Sequence, residues 1–142
     1  MKVVVDTNIM VGALLQEDGA CRAVIRLCLQ GELMPMMGVA LFSEMEDVLS
    51  RHDLFKESRL DLNERTELFQ AFLSKTELVK IYYSWRPNLR DEADNHVVDL
   101  AVACGAEYII TQNTRDFARM ELKFQQLRCT TAAQFLSEWR ER

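Results

Sequence analysis

Asp6, Thr7 and Asn8 follow directly on the run Val3-Val4-Val5, and Thr111, Asn113 and Asp116 follow on Tyr108-Ile109-Ile110. Asp91 and Asp94 precede the apolar pair Val97-Val98, while Glu44 and Glu46 stand among Leu41, Phe42, Met45, Val48 and Leu49. Carboxylates gathered from such places repel one another unless one is protonated or a cation lies between them. Hard divalent cations prefer oxygen ligands of this kind. A cation held there can neutralise a phosphate, activate water and stabilise a leaving oxygen. The chemistry open to these residues, if the fold brings them together, is metal-assisted attack on a phosphate ester.

Whether they meet depends on the elements that carry them. Val3–Val5 is too apolar to have one wet face and reads as a buried central strand, as does Tyr108–Thr111. Helices are expected near 8–15, 20–30, 40–51, 61–75 and 94–104. Further strands are expected at Leu33–Met37, Val79–Tyr83 and, weakly, Leu127–Cys129. A last helix follows, capped by Thr130 or Thr131 ahead of Ala132-Ala133-Gln134-Phe135-Leu136. Strands alternating with helices predict a three-layer α/β/α fold with a central, mostly parallel sheet. Ligands bind such sheets beyond the carboxyl ends of the strands, where Asp6 and Thr111 would both stand.

Helical periodicity sorts some of the acids. At about 100° per residue, Val97, Val98, Ala101 and Val102 lie within roughly 80° of Asp94. Asp91 falls in the same apolar stripe, and Asp99 and His96 fall outside it, which makes His96 a solvated or interfacial residue. An inward carboxylate at a helix start is costly unless paired, protonated or bound to metal, although an N-cap aspartate sits well on the helix dipole. Glu44 and Glu46 flank the apolar face of their helix about equally, so periodicity does not choose between them.

Composition bounds the reading. The 142 residues carry 17 Lys plus Arg against 22 Asp plus Glu, a formal net charge of −5, and 49% are hydrophobic. That size and content suit one globular domain over 1–142 and argue against intrinsic disorder. The acidic balance argues against a passive coat on nucleic-acid phosphates, but not against an enzyme that meets phosphates through metal. No apolar stretch is long enough for a membrane span or a signal peptide, so no membrane partner and a cytoplasmic location are expected. Cys21, Cys28, Cys104 and Cys129 form no CxxC pair or Cys/His cluster, which excludes a zinc site of that type and leaves them as small buried apolar residues.

The assembled pattern resembles the PIN-domain ribonucleases, in particular the small bacterial VapC-like toxins of toxin–antitoxin pairs. The resemblance rests on Val-Val-Val-Asp6-Thr7-Asn8, on Ser43-Glu44-Met45-Glu46-Asp47-Val48-Leu49, and on Asp91-Glu92-Ala93-Asp94-Asn95-His96 with Ala101 and Gly105-Ala106. It continues through Tyr108-Ile109-Ile110-Thr111-Gln112-Asn113-Thr114-Arg115-Asp116-Phe117. It implies a metal-binding quartet of Asp6, Glu44, Asp94 and Asp116, and selects Glu44 over Glu46. Thr7, Asn8, Asp91, Thr111 and Asn113 would support those acids. Many members carry an acid where this chain has Asn113. The resemblance further implies Mg²⁺ or Mn²⁺ as cofactor and cleavage of single-stranded RNA leaving a 5′-phosphate. Its implied partners are a cognate antitoxin and a second copy of the chain. The helix bearing Leu62 to Leu73 serves either as a dimer face or as core.

Other chemistries fit less well. A phosphatase with Asp6 as nucleophile would want a second Asp at position 8, where Asn8 stands. A receiver-like phosphoacceptor would want a paired acid and a late lysine that are not found. Neither His52 nor His96 has a serine or cysteine placed for a hydrolase triad. A PIN fold that binds without cutting is the remaining alternative, on account of Asn113. Trp85 and Trp139 could stack bases or simply pack, and Arg22, Arg26, Arg90 and Arg115 could touch phosphate or water.

Overall fold

A computed structural model describes residues 1–80, 95–118, 124 and 126–141. The run Val3–Val5 forms the middle strand, β1 (Lys2–Val5). Its three valines are at most 1% exposed. Successive strand residues point to opposite faces, so both faces of β1 are covered, as a parallel sheet requires. Around it stand β2 (Met34–Met37), β3 (Glu77–Leu78), β4 (Tyr108–Ile110) and β5 (Arg128–Thr130). The order is β3-β2-β1-β4-β5 and every pairing is parallel. Val3, Val4 and Val5 lie opposite Tyr108, Ile109 and Ile110.

Helices flank this sheet, giving the expected α/β/α layers. Helix α1 (Thr7–Leu15) packs on α2 (Ala20–Leu29), and α2 on the last helix, α6 (Ala132–Arg140). In α2 the buried side chains are Cys21, Val24, Ile25 and Cys28, spaced to make one helical face. Helix α3 (Val39–Leu49) touches α1 and α5 (Asn95–Cys104), and α5 lies against β1, β2 and β4. Helix α4 (Leu62–Ser74) starts at a capping box between Asp61 and Glu64, and α6 at one between Thr131 and Gln134. The cap of the last helix is therefore Thr131 and not Thr130. Gly31 and Gly105 take positive φ, 80° and 68°, just past the ends of α2 and α5, where a side chain would be strained.

Three expectations shift. The strand expected at Val79–Tyr83 starts earlier, at Glu77, and 81–83 lie outside the described residues. Pairing of Glu77 and Leu78 with Met36 and Met37 places it, not the apolarity of its own sequence. Cys21 and Cys28 are buried as expected, but Cys104 and Cys129 are only half-buried, and none of the four is in a disulfide. On α4 only Phe72 is buried, Leu62 is 51% exposed, and Leu68, Phe69 and Leu73 pack half-buried against the core. No helix among the described residues is long and apolar enough to cross a membrane.

Candidate functional site

The strand order reverses direction at β1. From it the chain moves outward through β2 and β3, then returns to lay β4 and β5 on the other side. The connections after β1 and β4 therefore part from each other, opening a crevice at the carboxyl ends of the two central strands. Asp6 and Thr111 are the first residues beyond those ends. The Asp6 amide extends the ladder to Ile110 O at 3.0 Å.

Asp6 caps α1 and is 4% exposed. Its Oδ1 accepts from the Thr7 amide at 2.8 Å, and its Oδ2 accepts from Thr111 Oγ1 at 2.8 Å. The fully buried Thr111 hydroxyl in turn accepts from Asn8 Nδ2 and from the Asn113 amide, both at 3.1 Å. Asn8 Oδ1 closes the network by accepting from the Gln112 amide at 3.0 Å. Burial pushes the Asp6 carboxyl above its ordinary range, the Thr111 hydroxyl and Thr7 amide oppose that rise, and the charge of Glu44 adds to it.

Glu44 reaches the same place from α3. Its Oε1 accepts from Thr7 Oγ1 at 2.5 Å, and its Oε2 lies 3.0 Å from His96 Nε2. The bond to His96 holds the Glu44 carboxyl below its ordinary value against the opposing effect of burial. Glu46 is exposed, so of the two glutamates that periodicity left open, Glu44 faces the site. Asp6, Thr7, Asn8, Val11, Glu44, Val48 and Asn113 line one recess of about 260 Å³.

His96 is the residue that sequence reasoning left undecided. It was expected to be solvated or interfacial, and it is interfacial, with a side chain only 15% exposed. Asp99, also expected outside the apolar stripe, is 6% exposed. The reason is common to both: α5 is covered by the sheet and touched by α3 as well, so a wheel drawn for one buried face misjudges residues on its flanks. A polar residue aimed at a second helix leaves no periodic signal.

Asp116 sits in a 3-10 turn, Thr114–Phe117, pinned by the fully buried Phe117. Asn113 Nδ2 donates to Asp116 Oδ2 at 2.5 Å, so Asn113 links Asp116 to the recess that it lines itself. Asp91 and Asp94 lie outside the described residues, as do Trp85 and Arg90. Among the described residues Asp6 and Glu44 are the acids brought together, and no three His, Cys, Asp or Glu form a cluster able to hold an ion. No lysine or arginine among them pairs with Asp6 or Glu44. Larger recesses near Leu14 and Arg59 (about 410 Å³) and near Phe124 and Leu127 (about 590 Å³) are lined by no buried acid. Arg22 is half-buried with its Nε on Ala13 O at 2.7 Å, and Trp139 stacks on Phe135 with centroids 6.1 Å apart. Both are engaged in packing, while Arg26 and Arg115 are exposed.

A family profile described as PIN domain matches residues 2–115. Among solved structures the chain is similar to one described as the crystal structure of VapBC2 from Rickettsia felis bound to a DNA fragment from their promoter. The likeness has a TM-score of 0.58 at 16% identity and covers 92% of this chain and 98% of that one. Among curated proteins no sequence match is found.

Proposed function

Starting from the fact that the chain belongs to the PIN domain family, we propose that it is a divalent-metal-dependent endoribonuclease that hydrolyses single-stranded RNA as the toxin of a toxin–antitoxin pair. One observation carries this reading: a buried aspartate and a half-buried glutamate face the crevice beside the central strand, and no lysine or arginine among the described residues pairs with them. The buried Asp6 charge, raised further by Glu44, costs the fold stability unless it serves a ligand.

The donor set suits the cofactor. The side chains lining the recess offer carboxylate, hydroxyl and amide oxygens and no thiol, which matches Mg²⁺ or Mn²⁺ and not a soft metal. Asp6, Glu44, Asp94 and Asp116 are the residues that would hold it, with Asn113 as a neutral neighbour. Bound there, the ion would supply charge neutralisation on the phosphate and a water acidic enough to attack at neutral pH. The chain's own part is to orient. A carboxylate has about four acceptor positions. The donors on Asp6 and Glu44 therefore fix each carboxylate and leave lone pairs free. Thr7 serves both acids, with its amide on Asp6 and its hydroxyl on Glu44. Thr111 and Asn8 hold Asp6 from the β4 side, and Asp91 would support the start of α5.

The similar solved structure is described as a VapBC complex, which supports a cognate antitoxin as partner. The net charge of −5 favours a basic antitoxin segment over this surface and makes RNA affinity dependent on divalent metal. The test is cleavage of single-stranded RNA by the purified chain in Mg²⁺ or Mn²⁺ and in EDTA, with the product ends identified. Cleavage with metal, 5′-phosphate ends, and its loss in Asp6→Asn and Asp94→Asn at unchanged circular dichroism are expected. Cleavage retained by both variants sinks the assignment. Asn113, where many PIN nucleases carry an acid, favours a second reading, a PIN fold that binds RNA or protein without cutting. That reading predicts RNA binding unchanged by EDTA and no cleavage.

A further inference from the structure

Glu44 is the acid with the most freedom to lose. It hangs from α3 on three rotatable bonds, is only half-buried, and holding such a side chain still costs up to about 2 kcal/mol of rotamer entropy. Two donors from two other elements hold it. Thr7, at the start of α1, takes Oε1, and His96, in the first turn of α5, takes Oε2. The second nitrogen of His96, Nδ1, is buried and has no hydrogen-bond partner among the described residues. A carboxylate only accepts, so Nε2 is the donor in the bond to Glu44.

Resting on the nuclease reading above, we propose that His96 is a positioning residue whose Nε2–H locks the Glu44 carboxylate in the orientation that receives the divalent cation. It does not touch substrate. It also ties α3 to the first turn of α5, so one bond fixes an acid on one helix from another. Outer partners of metal-binding carboxylates typically contribute 10–100-fold in affinity or activity, and that is the scale expected here.

The test uses the full chain and a pair of substitutions of similar length and volume, His96→Gln, which keeps an N–H donor, and His96→Met, which does not. Mn²⁺ binding is followed by electron paramagnetic resonance of the free ion, with Asp6→Asn as the control for the site. Dissociation constants within about threefold of the parent for His96→Gln and weakened about 10–100-fold for His96→Met are expected. The KM for RNA should be unchanged, and cleavage by His96→Met should partly return at high Mn²⁺. Equal affinity in both variants, whether parent-like or weakened, overturns the proposal, because the donor would then not matter. Parent-like affinity in both beside loss in Asp6→Asn overturns the positioning role alone. No Mn²⁺ binding by the parent overturns the nuclease reading and the positioning role with it.

Discussion

The two ends of the sheet treat charge differently. At the amino ends of the strands, Glu138 meets Arg128 at 2.7 Å and accepts from the Tyr108 hydroxyl at 2.9 Å, while the Arg128 guanidinium lies 5.7 Å from the Tyr108 ring centre. Acid, base and ring there complete one another and pin α6 to β4 and β5. At the carboxyl ends, Asp6 and Glu44 receive hydroxyls, an amide and an imidazole, but no lysine or arginine among the described residues. Hydroxyl and amide donors orient a carboxylate without cancelling its charge. The amino end is thus built to be finished, and the carboxyl end to be completed by a cation.

The largest effects that could break this contrast concern catalysis. Glu44→Gln should reduce metal-dependent RNA cleavage to background, a larger loss than the roughly 10–100-fold of an outer partner, whereas Glu138→Gln at the other rim should leave it unchanged. Equal losses in a cleavage assay would erase the distinction.

Thr111→Val should have the next largest effect. It removes a buried donor from Asp6 at nearly constant volume and should cost about 1–3 kcal/mol in urea unfolding at pH 7. Its pH dependence has a definite sign. The Asp6 carboxyl already lies above its unfolded value because of burial, and losing the hydroxyl raises it further. A raised carboxyl favours the fold below the unfolded value of 3.8 and loses that advantage as pH rises through the folded one. The deficit of Thr111→Val should therefore be larger at pH 7 than near pH 4, and a pH-independent deficit would count against a buried charge at Asp6. The smallest effect belongs to the amino rim. The Arg128 side chain is 56% exposed, so Arg128→Ala should cost only about 0.2–1 kcal/mol, less still in high salt, with cleavage unaffected.

Most of the frame was legible because burial writes itself into residue type. Val3–Val5 and Tyr108–Ile110 could only be inner strands, and their first polar followers, Asp6 and Thr111, had to meet once the two strands paired. Asp116 was named through the family resemblance alone, since the short 3-10 turn that carries it leaves no periodic signal. What was not legible depends on where one element lies against another. Glu44 and Glu46 look alike on a wheel, and only the approach of Thr7 and His96 separates them. His96 and Asp99 fell outside the apolar stripe because a wheel assumes one covered face, and α5 has more. The two-residue β3 was misplaced because its partner Met36–Met37, rather than its own apolarity, defines it.

Asp6, at the carboxyl rim, is kept for a cation at the expense of the fold. Thermal melting of the parent and Asp6→Asn, each with EDTA and with saturating Mn²⁺, tests it most directly. Asparagine caps a helix as well as aspartate does; the substitution removes the charge together with one of the two acceptors that serve Thr7 and Thr111. Asp6→Asn should melt higher than the parent in EDTA by roughly 2–4 °C, the equivalent of about 1 kcal/mol. The parent alone should rise with Mn²⁺, by about 10 °C at a hundredfold excess over its dissociation constant. A lower melting temperature for Asp6→Asn in EDTA, together with a parent that does not respond to Mn²⁺, would contradict the account.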